Sequence, residues 1–274
     1  MQISRAAVFY NEHKTQNQPL AASVRDFLRA QHIQAEVITD LAQLSGVELL
    51  ISVGGDGTML RCARACAPLN IPLFGINGGT LGFLAASEKE ETKKNLQRFL
   101  TGQCPIYERF MLAVQIHQPG KTDEKHLAFN DCVLRAETPR AYTLHARFDE
   151  QEIPPYFGDG IIVSTPTGST AYSLAAGGPI VEPGVDVLIL TPICPHTLAQ
   201  RPLILPATGT LILTPDFKTN TDKTALSIDG QINRSLPPGS HVKLTRSPHK
   251  VRLVGTPERG FFTLLSRKLN WGGR

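Results

Sequence analysis

The chain has 274 residues, enough for one large domain or two ordinary ones, and its 41% hydrophobic and 19% charged residues exclude intrinsic disorder. A net charge of +4 with no long run of like charges excludes a nucleic-acid tail and a polybasic membrane patch. The five cysteines, at 62, 66, 104, 132 and 194, lack zinc spacing, no apolar run reaches membrane length, and Ala6 to Tyr10 is too short for a secretory signal; free thiols in a reducing, cytoplasmic setting are expected.

Ala6 to Tyr10 reads as a buried strand. Leu20, Val24, Phe27 and Leu28 recur at helical spacing, with Pro19 suited to a first turn. Ala35 to Ile38 and Val47 to Val53 read as the next strands, and the second runs into Gly54-Gly55-Asp56-Gly57-Thr58. Thr58 to Ala67 continues as a helix. Ile71 to Ile76 is a strand that leads into a second glycine loop, Asn77 to Phe83. Ser87 and Glu90 have capping-box spacing before a helix carrying Leu96, Phe99 and Leu100. Strands alternating with helices predict a mostly parallel, helix-covered, Rossmann-like α/β domain over residues 1–104, with both glycine loops at carboxyl ends of strands, where such sheets take ligands.

Helical periodicity almost vanishes after Cys104-Pro105. Strands are predicted over Arg109–His117, Lys125–Arg135, Tyr142–Phe148, Gly160–Ser164, Val185–Leu190, Thr208–Thr214, Ala225–Ile228, His241–Thr245 and Lys250–Val254. They make residues 105–255 an all-β domain. Within it Thr167 to Ala176 has loop-helix character. Phe261 to Leu269 is amphipathic, so residues 256–274 are expected to return to the first domain as a helix.

Three glycines in the first loop let backbone amides approach a phosphate. A lone acid among them repels phosphate unless a cation intervenes or the acid takes a proton. Asp56 is therefore read either as a chemical group or as an ordinary helix N-cap. The stretch from Gly158 to Ser173 runs a hydrophobic strand into a loop dense with hydroxyls and ending at Tyr172. It suits a phosphate, a sugar and a stacked base, or a capped strand-to-helix turn. Gly120-Lys121-Thr122 lacks the earlier glycine of a P-loop, since Gln115 stands there, and no G-x-G-x-x-G follows the first strand. His196 has no acid or nucleophile adjacent in sequence, and packing is its expected role. Arg201 suits a phosphate or a structural ion pair.

The chain resembles NAD kinases of the bacterial type. The resemblance rests on Gly54 to Thr58, Gly75-Ile76-Asn77 with Leu81-Gly82-Phe83, Asn130-Asp131, Gly158 to Ser173, Pro195 to Leu198 with Arg201-Pro202, and Asp229-Gly230-Gln231. The first motif alone is shared with lipid and sugar kinases; its combination with Thr165 to Pro179 is far more specific. The resemblance implies phosphorylation of the adenosine-ribose 2′-hydroxyl of NAD by ATP, or in some members polyphosphate. Asp56 would be the general base, and a divalent cation, Mg²⁺, would be carried on the donor phosphates with no direct protein ligand. The implied phosphate-binding set is Gly54, Gly55, Gly57, Thr58 and Arg61. The implied NAD-binding set is Gly57, Asn77, Phe83, Asn130, Asp131, Arg140, Asp159, Thr167, Thr170, Ala171, Tyr172, Ser173, Leu174, Ala175 and Gln231. Asp131 stands where many members have Glu, one methylene shorter. Phe157 stands where some members have arginine. A homodimer or homotetramer built through the β domain is expected, with no nucleic-acid or membrane partner. A lipid kinase and a dinucleotide sensor without catalysis are the alternatives.

Overall fold

The computed structural model describes residues 3–79, 82–138, 140–216 and 223–272; Thr80 and Leu81 of the second glycine loop lie outside them. Two compact units are formed, Met1–Arg109 with His249–Arg274, and Phe110–Pro248.

In the first unit β1 (Arg5–Tyr10), α1 (Gln18–Ala30), β2 (Gln34–Ile38), β3 (Leu49–Gly54), α2 (Asp56–Cys66) and β4 (Pro72–Asn77) follow in order. The strands pair in parallel in the order β4-β3-β1-β2. Every residue of β3 and β4 is buried, as expected for parallel strands covered on both faces. Val8, Leu49, Ile51, Val53, Phe74 and Ile76 pack with Val24 and Leu28 of α1 and with Leu96 and Phe99. The last two belong to α3 (Thr92–Leu100), which follows the two-residue β5 (Ser87–Glu88). The Ser87/Glu90 capping box does not form. Ser87 is drawn into parallel pairing with Ile76, its hydroxyl accepts from Asn95 Nδ2, and α3 begins five residues later.

The second unit holds β6 (Ile106–His117), β7 (Glu124–Ala128), β8 (Asp131–Ala136), β9 (Tyr142–Phe148), β10 (Gln151–Gly158) and β11 (Gly160–Ser164). It continues with the short α4 (Tyr172–Ala175), β12 (Val187–Ile193), β13 (Leu203–Pro206), β14 (Leu211–Asp216), β15 (Thr224–Ile228), β16 (Ile232–Leu236) and β17 (His241–Val254). One antiparallel sheet has the order β13-β12-β11-β8-β15-β16. Alternate residues such as Leu134, Ile161, Val163, Leu188, Leu190, Leu226 and Ile228 turn inward from it. They meet Leu112, Val114, Leu144, Ala146, Leu211, Leu213, Val242 and Leu244 in one core.

Three strands of the second unit escaped the sequence pattern, and all are edges. β10 carries Pro154-Pro155 and a bulge between Ile153 and Tyr156, while β13 and β16 end the other sheet. An edge strand tolerates proline and buries only one side, so its apolar alternation is weak. The expected strands His241–Thr245 and Lys250–Val254 form one, β17, and Lys125–Arg135 breaks in two at Phe129-Asn130. β6 and β17 each give residues to both units. The end of β17 pairs with β4 through Arg252 and Leu253, and α5 (Phe261–Leu269) follows in the first unit. No helix among the described residues is long and apolar enough to cross a membrane.

Candidate functional site

In the first unit β3 ends in Gly54, and Gly55 caps α2 through its carbonyl, which accepts from the amides of Thr58 and Met59. Gly54 lies so close to the Thr58 side chain that a Cβ there would strike the hydroxyl, which is why this position is glycine. Asp56 is the first residue of α2 and does not cap it. Its carboxylate turns across to the second glycine loop, where Oδ2 accepts from the amide of Phe83 at 3.0 Å and Oδ1 from that of Leu84 at 3.3 Å. Gly82 is required there, because a Cβ would collide with the same carboxylate.

Asn77 is buried and committed to the second loop. Its Nδ2 donates to Gly79 O and to Glu88 Oε2 (2.8 Å), and its Oδ1 accepts from the Gly79 amide. Gly54, Gly55, Asp56, Gly57, Thr58, Asn77 and Phe83 thus belong to two adjoining loops at the carboxyl ends of β3 and β4. Arg61 departs from them. It lies on the exposed side of α2 with its guanidinium 5.6 Å from the Phe9 ring centroid.

In the second unit the break between β7 and β8 has a specific cause. The Asp229 carboxylate accepts from the amides of Phe129, Asn130 and Asp131, at 2.8 to 3.2 Å. Asp229 itself sits at φ 51° and Gly230 at φ 65°, and the Gln231 amide donates to Ile228 O. This is an Asp-Gly turn of type I′, which demands positive φ at both central residues. The sequence pattern left Asp229 out of the site. Its signal in the chain was membership of Asp229-Gly230-Gln231, one of the stretches that carry the resemblance, from which only Gln231 entered the implied binding set.

Asn130 and Asp131 follow on the outer face of the sheet. With Val133 and Arg135 of β8, Ala225 and Ser227 of β15, Asn233 of β16, and Ala171 and Tyr172, they line a cleft of about 830 Å³. Burial first, and then the charge of Asp229, push the Asp131 carboxyl up to about 7. Tyr172 is exposed at the rim. The loop behind it is held tightly. Thr165 Oγ1 donates to Phe129 O at 2.6 Å and accepts from the Gly168 amide, and the buried hydroxyls of Ser173 and Thr191 bond at 2.8 Å. Gly168 abuts the Asn130 carbonyl and leaves no space for a side chain.

Thr167, Thr170, Leu174 and Ala175 belong to this loop and its short helix without lining the cleft. Arg140, Asp159 and Gln231 also lie outside the lining. Asp159 precedes β11 whereas Thr165 follows it, a separation of about 20 Å at ~3.3 Å per residue. His196 is exposed, edge-on to Phe157 with centroids 5.1 Å apart. Among the described residues no group of three His, Cys, Asp or Glu side chains is gathered to hold a metal ion.

A family profile described as the ATP-NAD kinase N-terminal domain matches residues 6–104, and one for the ATP-NAD kinase C-terminal domain matches residues 130–256. The NAD kinase of Koribacter versatilis is 39% identical over 228 residues, spanning 83% of this chain and 79% of that protein. The NAD kinase of Geobacter sulfurreducens is 32% identical over 286 residues, 99% of this chain and 100% of that protein. Among solved structures, yeast NADH kinase complexed with NADH superimposes with a TM-score of 0.91 at 22% identity, covering 100% of this chain and 89% of the other. An Archaeoglobus fulgidus NAD kinase in complex with ATP gives 0.78 at 24% identity, covering 96% and 99%. These two likenesses speak for the fold.

Proposed function

The chain belongs to the ATP-NAD kinase family, and from that premise we propose that it transfers the γ-phosphoryl group of ATP to the 2′-hydroxyl of the adenosine ribose of NAD, making NADP. The observation that carries the assignment is Asp56, a lone acid at the start of α2 whose carboxylate is aimed by two backbone amides instead of capping its own helix.

The ribose oxygen attacks the γ-phosphorus, the bond from that phosphorus to the ADP oxygen breaks, and the hydroxyl proton passes to Asp56. A carboxylate is a weak base for an alcohol, but the proton leaves late in a loose, metaphosphate-like transition state. Orientation therefore matters more than basicity. Amides of Gly54, Gly55 and Gly57 and the Thr58 hydroxyl face donor phosphates. Asn130, Asp131 and the Thr167–Ala175 segment, with Tyr172 at the rim, hold the dinucleotide, and Asp159 and Gln231 contribute at its ends. Arg61, beside the Phe9 ring, and Arg140, outside the cleft lining, contribute positive charge toward the phosphates and the dinucleotide.

The donor set near Asp56 is one carboxylate among amides and a hydroxyl, which fits a divalent cation such as Mg²⁺ carried on ATP, where it offsets phosphate charge. A lipid acceptor lacks support, since both matched domains are those of NAD kinases. A cytoplasmic setting agrees with five cysteines that are all free. Homo-oligomer formation through the β unit agrees with exposed Leu203 and Ile204 on edge strand β13. The decisive experiment is an NADP assay with NAD and Mg-ATP, run beside polyphosphate. Folded protein that makes no NADP with several metals would overturn the assignment.

A further inference from the structure

The C-terminal segment touches the second glycine loop and its continuation at three points within the first unit. Thr256 Oγ1 donates to Ala86 O at 3.2 Å. The Arg259 guanidinium, 7% exposed, pairs with Glu88, the same carboxylate that receives Asn77 Nδ2. The Lys268 ammonium of α5 lies 4.6 Å from the Phe83 ring centroid. Phe83 in turn donates its amide to Asp56. Lys268 is four residues beyond buried Leu264, so the helix face that packs also delivers the ammonium to the ring.

We infer that α5 positions Asp56 through Phe83, with Lys268 as the positioning residue. Lys268 touches no reacting atom. Its cation sits on the negative face of the ring and fixes the backbone on which the Phe83 and Leu84 amides are mounted. Those amides fix the two carboxylate oxygens. The Arg259–Glu88–Asn77 chain does the same for Gly79, so both described flanks of the loop are tied to one C-terminal segment. Loss of the Lys268 contact frees the Phe83 flank alone.

The catalytic arm of this inference rests on the kinase assignment; the structural arm does not. The test compares Lys268→Met, which keeps the apolar stem without charge, with Lys268→Arg, whose guanidinium also seats on an aromatic face. Hydrogen exchange at the Phe83 and Leu84 amides is read together with kcat and KM for NADP formation. Lys268→Met is expected to speed exchange at these amides and lower kcat, each about two- to fivefold, the worth of one partly exposed cation–π contact. KM for NAD stays within about a factor of two. Lys268→Arg is expected to restore both readouts. Unchanged exchange and kcat in Lys268→Met overturn the inference, and so does an arginine variant that behaves like methionine. Should the wild-type chain make no NADP, the kinase assignment fails, and exchange alone decides the positioning role.

Discussion

The amide of Phe83 is hydrogen-bonded to the carboxylate of Asp56, 27 residues earlier in the chain, at 3.0 Å. The second glycine loop is thereby the mount for the acid of the first. Its geometry, and not the helix that Asp56 begins, decides where that carboxylate points.

Asp56→Asn keeps the shape of the side chain but removes its basic oxygen pair. Turnover to NADP is expected to fall about 100- to 10,000-fold, the usual range for a lost general base. NAD binding by calorimetry is expected to stay close to wild type. An asparagine variant with near wild-type kcat would show that Asp56 only organises the loops.

Gly82→Ala places a methyl group against the Asp56 carboxylate. The acid must swing away or the loop must retreat. A displacement near 1 Å at a reacting group costs about 100-fold in rate. kcat is expected to fall on that scale and the melting temperature to fall with it, because Gly82 is buried and the methyl group displaces its neighbours. A fully active alanine variant would mean that the acid moves freely during catalysis.

Asp229→Ala leaves the amides of Phe129, Asn130 and Asp131 without their acceptor. Unsatisfied buried donors and a freed turn are together worth about 2–4 kcal/mol. Urea denaturation is expected to show that loss, accompanied by weaker NAD binding because Asn130 and Asp131 lose their mount. Unaltered stability would show that water replaces the carboxylate at no cost.

The Asp131 carboxyl, raised to about 7 in the fold, has an ordinary value near ~3.9 in the unfolded chain. Between these values the folded state binds more protons. Its contribution to stability is thus fully present below about pH 4, declines as pH rises, and is gone above about pH 7. The urea midpoint of the wild type is expected to fall over that window relative to Asp131→Asn, by up to about 4 kcal/mol in stability. Parallel pH profiles for the two proteins would contradict the assignment.

Burial pushes the Cys62 thiol up to about 12 and raises Cys66 and Cys132 as well, whereas Cys194 is exposed. A thiol reagent at pH 8 is expected to modify Cys194 at once and these three only on unfolding. Fast labelling of Cys62 in folded protein would mean that α2 opens readily.

The order of the chain alone determined the class of each unit. Alternating strands and helices before residue 104, and period-two runs such as Leu211/Leu213 and Val242/Leu244 after it, are local patterns of burial that any single element reveals. It also marked out the stretches proposed to carry the chemistry, Gly54 to Thr58 and Gly158 to Ser173, because glycine and hydroxyl density is itself local. Only the tertiary structure decided what those residues touch. Asp56 could be an N-cap or a chemical group, and its bonds to the Phe83 and Leu84 amides show that it does not cap α2. Asp229 was one residue of a matching stretch, with no role of its own, until its carboxylate was found under residues about 100 positions earlier. Edge strands β10, β13 and β16 emerged only through their neighbours. The reason is common to all of these: a hydrogen bond closing a large loop in the chain leaves no periodic trace on either partner, since its geometry depends on where two separate elements end rather than on the spacing within one.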